Sequence, residues 1–239
     1  YSDLAQNIEI FKGFQRLRER KNYTHLSSVQ KKIINDEISG FSLGGVALPK
    51  NKRESFKKIK SQLSKLGSKF EENILDSINN YSLHIKSKSE IKGIPSDVLK
   101  NAKKLAKEKN KDGWCFTLDF PCYIPLMQYA ENRGLRKKMY EAYATKASDK
   151  SKDKFDNSSC INEILILKKK LAALLGYKNY AEMSLVTKMA NSSNEIIKFL
   201  NKLAKKFKPF AKKDMVDIDL IAKKFNIKNV DAWDIAFFS

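Results

Sequence analysis

The chain has 239 residues, 42% of them hydrophobic and 10% aromatic, enough to build a sizeable core in one large domain or two small ones. Nine glycines and five prolines argue against a turn-rich β sandwich or barrel, and two histidines exclude a three-His metal site within the chain. Lys plus Arg number 47 against 27 Asp plus Glu, a formal net charge of +20.

Helical periodicity runs through most of the sequence. Leu4, Ile8, Phe11, Phe14 and Leu17 predict a helix over Tyr1 to Lys21. Ser27 or Ser28 caps a second helix reaching Ser39, with Val29, Ile33, Ile34 and Ile38 inward and Gly40 as its stop. Phe41 to Pro49 reads as loop. From Lys50 to Ile85, apolar residues recur at steps of three and four, which predicts one long amphipathic helix with a bend at Gly67. Pro95 and Ser96 open a helix reaching Lys109. Asn110 to Gly113 is a turn signal, and Trp114 to Phe120 reads as a strand ended by Pro121 and Pro125. Further helices follow over Leu135 to Ala147, Cys160 to Leu175 with Gly176 past its end, and Tyr180 to Ala190. A last long segment starts at Ser192, where Glu195 completes a capping box, and Pro209 should bend or break it near Lys206. Asp231 reads as the cap of a final helix. Ser148 to Ser159 is polar and is the best loop or boundary. The fold class is mainly α, a long-helix antiparallel bundle with one short strand or hairpin near residues 113–121.

The charge invites a polyanion, but only six basic residues are arginine, the side chain that reads bases and phosphates bidentately. The lysines are spread over nearly every segment and accompany an excess of Asn and Ile, as AT-rich coding produces. Nucleic acid is therefore expected to bind only non-specifically, with a basic helical module for nucleic acid or another polyanion as the alternative function. Cys115, Cys122 and Cys160 include no CxxC pair and read as reduced core thiols. No apolar run approaches the roughly 18 residues that span a bilayer, and no signal-peptide pattern opens the chain. A cytoplasmic protein without a membrane partner is expected, monomeric or weakly self-associating.

His25, just before a helix start, has no ligand partner at metal spacing. His84 is placed at the end of the long helix, where an imidazolium suits the negative helix terminus. Asp119 ends the expected strand and is either a cap or a site residue. Tyr123, Tyr129, Tyr140 and Tyr143 fall around a helix pair as core residues with wet hydroxyls. Phosphate-loop, dinucleotide, nucleophile-elbow and HExxH motifs are absent. Composition and spacing thus predict no catalytic and no metal residue.

Three stretches carry further information: LDFPCYIPLMQYAENRGLRKKMYEAY (Leu118 to Tyr143), LAALLGYKNYAEMSLVTKMA (Leu171 to Ala190) and DAWDIAFFS (Asp231 to Ser239). With LSSVQKKIINDEISGFSLGGVALP (Leu26 to Pro49) and SKLGSKFEENILDS (Ser64 to Ser77), they resemble the thimet oligopeptidase / oligopeptidase A family of zinc metalloendopeptidases. The resemblance implies a mostly helical cytosolic enzyme whose two lobes flank a channel that admits short unstructured peptides. It also implies a zinc held by the two His of HExxH and a downstream Glu, with the motif Glu as general base. Since HExxH is absent here, the resemblance makes this chain an interior fragment that forms channel wall and is not catalytic alone, with zinc belonging to the full-length enzyme. Residues 1–130 would be part of the N-terminal helical lobe and residues 131–239 the start of the peptidase lobe. Asp119 and Tyr123 are the candidates for lining the channel.

Overall fold

The computed structural model describes residues 7–151 and 154–239. Leu4 and the start of the first expected helix lie outside the described residues, as do Lys152 and Asp153 of the polar loop. Ten α-helices and two short strands make up the described residues: α1 (Ile8–Glu19), α2 (Ser28–Leu43), α3 (Lys50–Asn80), β1 (Leu83–Ile85), α4 (Ser96–Glu108), β2 (Trp114–Phe116), α5 (Phe120–Tyr129), α6 (Arg133–Thr145), α7 (Ser158–Leu174), α8 (Tyr180–Leu185), α9 (Ser193–Lys224) and α10 (Ala232–Phe238). The fold is mainly α, as the periodicity predicts. The chain divides into two compact units, one of residues up to Gly67 with Ile161–Ala204, the other of Ser68–Cys160 with Lys205–Ser239.

In the first unit, local chemistry sets the helix starts. Asn7 Oδ1 accepts the Glu9 and Ile10 N–H groups at the head of α1. Ser27 and Gln30 form a reciprocal capping box on α2. Phe11 packs there with Ile34, Ile38, Phe41 and Val46. Gly40 does not stop α2, which continues to Leu43 because Phe41, expected in a loop, is drawn into this core. Val29 and Ile33, expected inward, are 67% and 54% exposed. A second cluster joins Leu48 and Phe56 to Leu171. Gly176 takes φ +84, and the Tyr177 and Gly176 N–H groups close onto the Ala172 and Ala173 carbonyls, satisfying the orphan acceptors at the end of α7.

In the second unit, α3 ends at Asn80 and not at Ile85. Leu83, His84 and Ile85 form β1, paired antiparallel with Phe116, Cys115 and Trp114 of β2. His84 is therefore a strand residue. Asn110 turns the chain at φ +53 after α4, and Gly113 at φ +94 lets it approach β1. The expected strand stops at Phe116, since Asp119 already caps α5. Pro121 sits in the first turn of that helix, where no N–H is required. Pro125 lies inside α5 and Pro209 inside α9; neither ends its helix. Phe116, Leu126, Ala130 and Met139 are fully enclosed in the core, and the small Ala102 and Ala106 let α4 lie against β2. The polar loop after α6 is tied to α3. Asn157 donates to the Phe70 carbonyl at 3.1 Å and accepts from Asn73 at 2.8 Å, while Ser77 Oγ accepts the Ala147 N–H at 3.1 Å.

A Cβ at Gly113 would lie 2.3 Å from the Ile85 carbonyl oxygen, whereas one at Gly13 would meet nothing within 4 Å. Gly113→Ala should therefore lower stability in urea unfolding by about 2 kcal/mol or more. Gly13→Ala, in a helix interior, should leave it unchanged or raise it by up to about 1 kcal/mol.

Candidate functional site

Helix α5 positions both channel candidates, one turn apart. The Asp119 backbone carbonyl accepts the Cys122 and Tyr123 N–H groups at 2.9 and 2.8 Å, which starts the helix. Its carboxylate makes no capping bond and is exposed. It borders a small cleft with Val98, Thr117 and Cys122. The Cys122 Sγ accepts the Thr117 N–H at 3.4 Å, but burial pushes the thiol pKa up, so it stays protonated at neutral pH and is no nucleophile.

Tyr123 is buried and stacks on Tyr143 with ring centroids 4.0 Å apart. Burial, with the neighbouring Tyr143 and Tyr140, pushes its hydroxyl pKa up to about 12. It is a neutral hydrogen-bond donor across the physiological range. Lys146 Nζ lies 3.4 Å from the Tyr143 ring centroid and donates to the Tyr143 carbonyl. Burial lowers its pKa. Tyr123 borders an open apolar cleft of about 360 Å³ with Ile124, Met127 and Tyr140 on one side and Ile235 and Ala236 of α10 on the other. Asp119 and Tyr123 thus border two different clefts and do not form one constellation. The cleft's lining is mostly apolar, of the kind that accommodates aliphatic or aromatic groups.

The α10 side of the cleft is held by charges that lie far apart in the sequence. Asp234 is fully buried, and Arg136 is 1% exposed. Asp234 Oδ1 accepts from Arg136 Nη2 at 2.8 Å, and Oδ2 accepts from Arg133 Nη2 at 2.7 Å. Arg133 also donates to Asp231 at 2.7 Å and to the Asn229 carbonyl. Asp231 is the expected cap, and Asp234 completes its box by accepting the Asp231 N–H at 3.0 Å. Burial alone would raise the Asp234 pKa, but the hydrogen bonds from Arg133, the Asp231 N–H and Arg136 outweigh it and hold the carboxyl below its usual range. The available signal was Arg133 and Arg136, one turn apart in a chain whose cations are otherwise almost all lysine.

His25 is exposed in a 3₁₀ turn, and His84 pairs through a ring nitrogen with the Asp112 carbonyl. Among the described residues, no three His, Cys, Asp or Glu side chains come together as a metal-holding group. The described residues do not supply the three protein ligands that a catalytic zinc needs.

Residues 126–239 match the family described as Peptidase family M3, and residues 1–53 match the Neurolysin/Thimet oligopeptidase N-terminal domain. Oligopeptidase A of Salmonella typhimurium and of Escherichia coli are each 37% identical to this chain over 239 residues, covering 99% of it and 35% of their own length. A probable cytosolic oligopeptidase A of Arabidopsis thaliana is 37% identical over 246 residues, covering 99% of this chain and 34% of its own. The chain thus spans about a third of the length of the curated relatives it matches. Asp119 and Tyr123 lie between the two family matches.

Replacing Asp234 by Asn leaves Arg136 buried without its counter-charge. D234N should lose about 3 kcal/mol in urea unfolding, because one partner of a buried pair remains. The folded-state pKa of Asp234 lies below the unfolded one, so its contribution is complete above the unfolded value of about 3.9 and is lost as pH falls towards the folded value. Stability of the parent chain should drop across that acid window, and the drop should be smaller in D234N.

Proposed function

The chain belongs to the peptidase M3 / oligopeptidase A family, and from that premise we propose that it serves as wall of the peptide channel in a zinc metalloendopeptidase of the oligopeptidase A kind. The observation that carries this reading is 37% identity sustained over 239 collinear residues. Residues 1–130 belong in this reading to the helical lobe that narrows the channel, and residues 131–239 to the opening of the peptidase lobe. Substrates are short unstructured peptides in the cytoplasm. Tyr123 and the apolar cleft beside it offer a surface for apolar peptide side chains, and Asp119 offers an exposed carboxylate. The zinc and its HExxH ligands come from sequence not among these 239 residues, so this chain holds no zinc and cleaves nothing by itself.

Two measurements bear on this. Metal analysis of the purified chain should find well under one zinc per molecule, and a quenched fluorogenic peptide should remain intact; one tightly held zinc or steady turnover overturns the reading. In a chimera, this chain should replace the matching third of the Escherichia coli enzyme with peptide cleavage retained within about tenfold, an allowance of about 1.4 kcal/mol in transition-state binding. A well-folded chimera without activity would contradict the channel-wall role.

A further inference from the structure

We draw no further inference here: the strongest candidate, the open apolar cleft between α5 and α10 beside Tyr123, belongs to the site already described, and nothing in the structure shows what covers it in a chain that spans about a third of its relatives' length.

Discussion

The ion pair between Arg136 and Asp234 is the interaction on which the apolar cleft depends. Both side chains are buried, and neither charge could stay there alone. The pair is tolerated because every polar atom around it is satisfied. Arg136 donates Nη1 to the Ala130 carbonyl at 2.7 Å, one of the acceptors left open at the end of α5, and Nε to the Trp233 carbonyl at 3.2 Å. One guanidinium therefore joins the end of α5, the body of α6 and the start of α10. The seven residues of α10 are too few to hold a helix by propensity. The Asp234 carboxylate closes the N-terminus of α10 and fastens it to α6 at the same time. Trp233 then lies with its ring 4.9 Å from the Lys137 ammonium and edge-on to Tyr140, and Ile235 and Ala236 complete the cleft opposite Tyr123. The same α6 helix thus supplies the anchor and one wall of the cleft.

What was legible in the sequence is local chemistry. The Ser27–Gln30 box, the Asp231 cap and Gly176 each depend on residues within a turn of one another and form as expected, while the Ser192 box forms by half: Ser192 Oγ accepts the Glu195 N–H, but the Glu195 carboxylate accepts from the Asn191 N–H and not from that of Ser192. What was hidden depends on distant partners. Ile78, Tyr81 and Ile85 continue the helical spacing of α3, and only pairing with Trp114 to Phe116 makes 83–85 a strand. Val29 and Ile33 share a helix with Ile34 and Ile38, yet α1 and the turn after α2 cover only one side of it. The two prolines after Asp119 read as a stop, although Pro121 occupies a position where a helix accepts one. The Arg136–Asp234 pair joins residues 98 positions apart, beyond any sequence window.

The candidate site divides in the same way. Tyr123 lies in one of the stretches that carry the resemblance, and the structure puts it against Tyr143 and beside an apolar cleft. The sequence pattern puts Asp119 at a strand end, and the structure makes it the N-cap residue of α5 with its carboxylate in solvent. Sequence proximity put the two together; their side chains border separate clefts.

The charge of the chain follows the difference between its two cations. No described lysine is buried, and the lysine ion pairs, such as Lys32 with Asp36, sit between exposed partners and contribute little. Two of the six arginines act where a planar fork meets several acceptors, Arg133 and Arg136 at Asp234, and Arg53 Nε donates to the Leu48 carbonyl at 2.8 Å, whereas Arg16, Arg18 and Arg20 are exposed. Most lysines therefore stand on exposed faces that water keeps charged, and those that bond within the fold, such as Lys31 to the Thr24 carbonyl and Lys146 to the Tyr143 carbonyl, do so through a single acceptor.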